Sequence, residues 1–391
     1  MNIDDIASFR NLLNAYYECR RGKRNQESAD RFELNYESEI LKLQRELLNQ
    51  TWQPLRPFCF VITDPKIREI HAADFRDRVV HHALCRLLIP VFEPGFIDDS
   101  YACRTGKGTH KCLYRLKSFI RKVTRNYTRP AYYLQGDILS FFNSINHDIL
   151  LNLLTEKVKS PDLISILERI ITLESIYNPI KRGQLSLFDK IPRHKSLFYA
   201  PHNQGLPIGN LTSQFFANVY LNKLDQYVKH HLRIRYYIRY VDDFIILEND
   251  PEVLENYRSK ISDFLQTNLR LKLHPKKQII RPIESGIDFL GYFIKPRYTL
   301  VHRRVVSRFK SRLKEFRDDL SKDNIDWDYI IAVINAYYAH FLHADSYNLR
   351  VHLWRKHFGD LRYFLFPLNN FSYFEKKRSI LNSSPPPRTL F

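Results

Sequence analysis

The sequence predicts a mixed α/β fold with a helical C-terminal part, and three observations carry that expectation. Residues 131–136 (AYYLQG) and the run RIRYYIRYVDDFIILEND at 233–250 are rich in β-branched and aromatic residues, the composition of strands. Elsewhere apolar residues recur every three or four positions, the period of a half-buried helix. From about residue 301 only that helical period remains. A chain of 391 residues is long enough for two or three packed subdomains.

In chain order, residues 26–50 read as one amphipathic helix, with Phe32, Tyr36, Ile40, Leu43 and Leu47 on a stripe and Glu39, Lys42 and Glu46 off it. Trp52, Pro54 and Pro57 end it, because proline cannot continue the helical hydrogen-bond ladder. A basic region follows to about residue 130, turn-rich over 94–109. Residues 131–136 form a buried strand that runs into Asp137. A helical pattern covers 149–173, and 178–204 is irregular, with several prolines and the basic run Arg193-His194-Lys195. Residues 213–232 read as a helix with Phe216, Val219, Tyr220 and Leu224 on one side, and 233–250 as a β-hairpin. Beyond 301, Val305, Phe309, Leu313, Phe316 and Leu320 form an apolar stripe, with Arg304, Arg308 and Arg312 on another face. The tail SSPPPRTLF is proline-rich and expected to be disordered.

The charge balance narrows the function. There are 61 Lys+Arg against 42 Asp+Glu, a net +19, which points to a polyanionic partner. Aromatic residues make up 14% of the chain, and aromatic faces among basic side chains suit unstacked bases. Residues 301–391 alone hold 16 Lys+Arg against 9 Asp+Glu, consistent with a grip on a nucleic-acid backbone or with a solvated basic face. The five cysteines (Cys19, Cys59, Cys85, Cys103, Cys112) include no C-x-x-C pair, which argues against a disulfide framework and a structural zinc site. They fit free thiols in a cytoplasm. No signal peptide and no apolar run of membrane-spanning length is expected.

Three features carry chemistry. Asp242-Asp243 is an acid pair inside the strand-forming run Tyr240-Val241-…-Phe244-Ile245-Ile246-Leu247. Adjacent carboxylates repel one another when desolvated, and a divalent cation removes that cost, although a hairpin-tip acid pair can also be only a turn. Asp137, at the end of an apolar strand, is the acid a neighbouring strand would have to supply for a two-ion centre; alone it reads equally as a helix N-cap. Gly205-Leu206-Pro207-Ile208-Gly209-Asn210 before a helix is a turn that lets backbone approach a ligand.

The order and spacing of these features resemble the reverse transcriptase family. Asp137-x4-Phe142, Ile208-Gly209-x3-Ser213, Tyr240-x-Asp242-Asp243 and Phe289-Leu290-Gly291-Tyr292 resemble its motifs A, B, C and E in order. Lys66-Ile67-Arg68-Glu69-Ile70 and Phe75-Arg76-Asp77-Arg78-Val79-Val80 resemble the fingers motifs, Ser100-Tyr101-Ala102-Cys103-Arg104-Thr105-Gly106-Lys107-Gly108 the next one, and Leu271-Lys272-Leu273-His274-Pro275-Lys276-Lys277 motif D. The resemblance covers roughly 55–300. It implies a right-hand polymerase: a helical N-terminal extension (1–50), fingers (51–130), a palm of antiparallel sheet and helices (131–300, with a fingers-side insertion at about 150–204) and a helical basic thumb (301–391). It implies Asp137, Asp242, Asp243 and the Ile138 carbonyl as ligands of two Mg²⁺ ions, for which Mn²⁺ substitutes. Lys277 would protonate pyrophosphate, with Lys276 as the alternative. Lys66, Arg68, Phe142, Ile208, Gly209 and Gln214 would bind the nucleotide, and Phe142 would exclude a 2′-hydroxyl. Arg76, Arg78, Arg104, Lys107, Arg304 and Arg308 would contact template or primer. Substrates would be template RNA, growing cDNA and dNTPs, in the cytoplasm of a bacterium or encoded by a phage.

The sequence departs from most of the family in motif B, where Ile208 replaces a glutamine and Gln214 a proline. The double change resembles the reverse transcriptases of diversity-generating retroelements, which implies low fidelity at template adenines and a small basic accessory protein, for which the thumb and 178–204 are docking surfaces. A side chain at 208 that neither donates nor accepts loses part of the check on the nascent pair. From its length the chain is not expected to carry an RNase H domain, an endonuclease or a large maturase domain. A retron-like or phage-defence enzyme and a non-catalytic RNA-binding scaffold are the competing readings.

Overall fold

The structure is a computed structural model that describes residues 2–22, 26–64, 66–172, 178–320 and 325–377. It is a mixture of helices and small sheets, as the sequence predicts. The proline-rich tail lies outside the described residues. The chain folds as two compact units, Met1–Cys112 with Tyr133–Ile280, and Leu113–Tyr132 with Arg281–Phe391. The second unit thus takes in a segment near residue 120 and begins before the 301 boundary drawn from helical periodicity.

The first unit opens with helices α1 (Ile3–Ala7), α2 (Phe9–Arg20), α3 (Glu27–Glu33) and α4 (Tyr36–Leu48). The helix expected over 26–50 is two helices, broken at Leu34 and Asn35, and Asn35 becomes the N-cap position of α4 with φ −136°. Phe32, Ile40, Leu43 and Leu47 are nonetheless buried, because the apolar period survives the break. Strands β1 (Phe58–Ile62) and β2 (Arg68–Ala72) pair antiparallel and lead into α5 (Phe75–Phe92). Buried Asn11 ties α2 to α5, its Nδ2 donating to the carbonyls of Ile6 (3.0 Å) and Ala83 (3.1 Å). Helix α6 (Thr109–Val123), most of which belongs to the second unit, and strand β3 (Tyr132–Gly136) follow in sequence, then α7 (Phe141–Ser144), α8 (His147–Thr155) and α9 (Pro161–Thr172). Pro161 starts α9 because it lacks only an amide proton that no carbonyl needs there, and so splits the single helix expected over 149–173.

Within 178–204 the chain makes 3-10 turns and one two-residue strand, β4 (Ile180–Lys181), parallel to β1. Helix α10 (Leu211–Gln226) then runs into a single π turn at Tyr227–His231, followed by β5 (Tyr237–Tyr240), β6 (Asp243–Glu248), α11 (Pro251–Leu269) and β7 (Ile279–Pro282). The central sheet has the order β5-β6-β3-β7, so the strand ending at Asp137 lies beside the hairpin carrying Asp242 and Asp243.

In the second unit β8 (Ile287–Phe289), β9 (Tyr292–Ile294) and β10 (Thr299–Val301) form an antiparallel sheet. Helices α12 (Arg303–Asp319), α13 (Trp327–Phe341), α14 (Tyr347–His357) and α15 (Leu361–Phe364) follow, and the expected stripe of α12 is its buried face: Phe309, Leu313 and Phe316 join Ile334, Tyr338, Phe341, Leu353 and Phe358 in one core. The sequence reading missed the hairpin of β11 (Leu365–Leu368) and β12 (Tyr373–Lys376). Its strands are short, and its turn is made by Asn369, Asn370 and Phe371, all at positive φ. The Asn335 side chain completes it, donating to the Phe374 carbonyl (3.0 Å) and accepting from the Phe374 amide (2.7 Å). Among the described residues no helix is long and apolar enough to cross a membrane.

Candidate active site

Strands β5 and β6 pair with Tyr240 opposite Asp243, which leaves Val241 and Asp242 as a two-residue hairpin turn. Val241 has φ 55° and Asp242 does not share the positive φ, the pattern of a type II′ turn. A β-branched residue in that region is strained, by about 1–3 kcal/mol for comparable outliers, and persists only where its surroundings hold it. Asp242 therefore sits in the turn itself and Asp243 is the first residue of β6.

Glycine at 136 is what lets β3 approach this hairpin: a Cβ there would stand 2.3 Å from the Phe244 ring. Asp137 follows directly and is buried. Desolvation, the charges of Asp137 and Asp243, and a hydrogen bond with Asp137 push the Asp242 carboxyl up to about 7. Three acids thus converge, and an oxygen-rich, like-charged donor set of this kind fits a hard divalent cation.

The motif D segment lies against the far edge of the Asp137 strand. Leu139 donates to the Lys272 carbonyl (2.8 Å) and His274 to the Asp137 carbonyl (2.7 Å), with Ile138 bridged to Leu273 between them. In that antiparallel pattern the N–H and C=O of Ile138 turn away from Leu273. The chain then brings Lys277 back, and its Nζ pairs with the Asp137 carboxylate. Lys276 makes no such pair; its amide donates to His274 Nδ1.

The motif B turn is woven to the residues after Asp137. Leu206 donates to the Phe142 carbonyl (2.8 Å), Gly205 to Ile145 (2.8 Å) and His147 to Asn203 (3.1 Å). Phe142 and Ile208 are half-buried, and Gly209 and Gln214 are exposed. On its other side the turn meets β2: the His71 amide donates to the Ile208 carbonyl (3.0 Å), and a Cβ at Gly209, which has φ +128°, would stand 3.0 Å from Ile70. A cavity of about 190 Å³ opens beside it, lined by Arg78, His81, His82, Gly209, Asn210, Leu211 and Gln214. Burial holds His81 down to about 3, so it is neutral there. Lys66 and Arg68 are exposed, Arg68 at the start of β2.

Several cations expected on template or primer have partners within the chain. The Arg104 side chain is 8% exposed and donates to Glu93 (3.0 Å) and to the carbonyls of Ile97 (2.7 Å) and Ser100 (2.9 Å). It braces its own turn. Arg76 pairs with Glu46 and Asp77, Lys107 with Asp98, and Arg78 donates to the Ala73 carbonyl (2.8 Å). Arg304 is exposed on α12, 3.6 Å from Asp288, and Arg308 is half-buried.

Sequence reasoning missed two groups. Cys59, Glu69 and His71 share one face of β1 and β2, their ligand-type atoms within 4.8 Å of one another. His71 Nε2 lies 2.6 Å from Glu69, which also accepts from Ser196 Oγ (2.7 Å) and the Leu197 amide (2.9 Å). Burial pushes the Cys59 thiol up to about 12. The cluster thus fastens the 193–199 turns to the strand behind Ile208. The second group centres on Arg239, fully buried in β5 and paired with Asp225. The one signal for it was an arginine at an inward position of an otherwise apolar strand.

Comparison with known proteins agrees with this geometry. The family described as reverse transcriptase (RNA-dependent DNA polymerase) matches residues 63–294. Protein YkfC of Escherichia coli K12 is 25% identical over 308 residues, covering 69% of this chain and 74% of that protein. The group II intron-encoded protein LtrA of Lactococcus lactis is 23% identical over 326 residues, covering 67% of this chain and 50% of that protein. The chain thus spans only half of LtrA. A solved structure of apo telomerase from Candida tropicalis, truncated from its C-terminal domain, aligns at TM-score 0.45 and 11% identity over 64% of this chain and 56% of that chain, a likeness too slight to bear on the fold.

Proposed function

The chain belongs to the reverse transcriptase (RNA-dependent DNA polymerase) family, and from that premise we propose that it copies a retroelement RNA into DNA at the centre formed by Asp137, Asp242 and Asp243. The observation that carries this reading is the convergence of the three acids, with Asp242 held up to about 7 by burial and by its neighbours. Asp137, Asp242, Asp243 and the Ile138 carbonyl would hold a pair of Mg²⁺ ions. When bound there, such ions lower the cost of deprotonating the primer 3′-hydroxyl and offset charge on the phosphates. In the reaction the 3′-oxygen bonds to the α-phosphorus, the α–β phosphoanhydride breaks, and pyrophosphate leaves. Lys277, which pairs with Asp137, would give pyrophosphate its proton. Lys66 and Arg68 supply positive charge for the triphosphate, and Phe142 covers the sugar. Arg304 and Arg308 remain the proposed thumb contacts to primer or template.

We extend the proposal to fidelity. The backbone of Ile208 is anchored through its carbonyl to the His71 amide, but its side chain can neither donate nor accept. Base selection then rests on shape alone at that position, and the product carries errors, most of them opposite adenine. The small basic accessory protein belongs to the same proposal, docking on the 178–204 segment or the thumb.

Primer extension on an RNA template tests the core claim: wild type extends and Asp242→Asn does not. Equal incorporation by both would remove the metal assignment. Sequencing of cDNA from wild type and Ile208→Gln tests fidelity, with fewer misincorporations expected from the variant. An unchanged error spectrum would refute that part alone.

A further inference from the structure

Asp242 depends on a turn that does not hold itself. Val241 precedes it at φ 55°, where a β-branched residue is disfavoured, so something outside the turn must keep the chain there. A contact on the turn comes from two residues upstream of Val241. Arg239 Nη1 donates to the Val241 carbonyl at 2.9 Å.

The guanidinium is itself fixed from three sides. Its Nε and Nη2 form a forked pair with the two oxygens of Asp225 on α10, at 2.8 and 2.6 Å. Nη2 also donates to Ser100 Oγ (3.0 Å) and Nη1 to Asn218 Oδ1 (3.4 Å). Asp225 in turn accepts from the Tyr237 hydroxyl (2.8 Å). The backbone joins the same frame: Arg239 donates to the Asp99 carbonyl (3.0 Å) and Tyr101 to the Arg239 carbonyl (3.0 Å). Arg239 and Asp225 are both fully buried.

A buried ion pair is a poor device for stability alone, since well-packed apolar residues often do as well. What an apolar side chain cannot supply at 239 is a rigid donor aimed at the Val241 carbonyl. We propose that Arg239, anchored by Asp225 and Ser100, is the positioning residue that holds the Val241–Asp242 turn so that Asp242 faces Asp137 and the pair binds divalent metal. The role is indirect, through the carboxylate, and it rests on the reading of Asp242 as a metal ligand.

The test separates the two claims. Full-length protein is titrated with Mn²⁺ while free Mn²⁺ is followed by electron paramagnetic resonance, a measurement that needs no turnover. Primer extension against Mg²⁺ concentration is the second readout, and cooperative melting is the check on folding. Arg239→Lys keeps the charge but loses the forked donor, and should weaken Mn²⁺ binding about 10-fold and raise the Mg²⁺ midpoint by about as much. At saturating metal its KM for dNTP should move less than about 2-fold, because the lost contact does not touch the nucleotide. Ser100→Ala, which removes one neutral partner, should shift both in the same direction by about 2- to 3-fold. If Asp242→Asn loses Mn²⁺ binding while folded Arg239→Lys and Ser100→Ala bind as wild type, Arg239 is only a structural residue and the inference falls. Should Arg239→Lys not melt cooperatively, an unshifted Ser100→Ala overturns it. If Asp242→Asn binds Mn²⁺ like wild type, the metal reading beneath it falls instead.

Discussion

Lys277 reaches across 140 positions of sequence to pair its Nζ with the carboxylate of Asp137. The backbone makes this possible by running residues 272–274 along the edge of 137–139 before the chain turns back. Of the two adjacent lysines, Lys277, rather than the alternative Lys276, pairs with the acid cluster. Lys277→Ala should therefore lower kcat by about 10²-fold, the usual scale for losing a general acid, with little change in dNTP KM. Lys276→Ala should stay near wild type. Steady-state primer extension decides it, and the opposite ranking would move the role to Lys276.

Gly136 has no room for a side chain. A methyl group would meet the Phe244 ring at 2.3 Å, so Gly136→Ala should cost about 1–3 kcal/mol as an overpacked core and pull Asp137 out of line. Thermal melts should show the lowered stability. Trimming the ring in Gly136→Ala/Phe244→Leu should recover part of both stability and activity, since the two sites are in contact and their effects cannot add. Strict additivity would locate the damage elsewhere.

Asp242 and Asp77 are both held up to about 7, Asp77 by burial in α5. A folded-state value above the ordinary one near 3.8 means that the folded protein carries extra protons between roughly pH 4 and 7. Each group's contribution to stability is then complete below about 4 and is lost as pH rises through 7. Metal-free protein should melt at a higher temperature at pH 5 than at pH 8, provided other groups titrate alike in both states. Mg²⁺ should abolish the Asp242 part, because it favours the ionised acid, and leave the Asp77 part. Asp77→Asn should remove only the latter. Melting curves over pH, with and without Mg²⁺, read both, and a slope of the opposite sign would contradict the assignment.

Phe142 sits five residues beyond Asp137, half-buried, with its carbonyl bonded to the motif B turn at Leu206. Its backbone is thus fixed and only the ring is removed by Phe142→Ala. That variant should accept ribonucleotides, raising the rNTP to dNTP ratio of kcat/KM by about 10²-fold for a contact worth roughly 3 kcal/mol. Competition assays measure the ratio, and an unchanged ratio would deny the ring its part in sugar selection.

What the sequence determined by itself is local. Strand-forming residues around Asp242-Asp243, the apolar run before Asp137, the glycines at 136 and 209 and the stripe of α12 all follow from side-chain chemistry within a few positions. Those features are legible because backbone preference and burial have short periods. The breaks at Asn35 and before Pro161, and the hairpin after Phe364, escaped because packing against distant elements decides where a marginal helix or strand stops. Partner choice among charges was decided only in three dimensions. Arg104 finds Glu93 and two carbonyls, and the guanidinium of Arg239 finds Asp225 and Ser100, the latter 139 positions away. An ionic side chain's local sequence says little about its partner, because that choice depends on which other chain segments the fold brings within about 3 Å. The acids stand in plain view in the sequence; the guanidinium bonded to the Val241 carbonyl beside them is visible only in the fold.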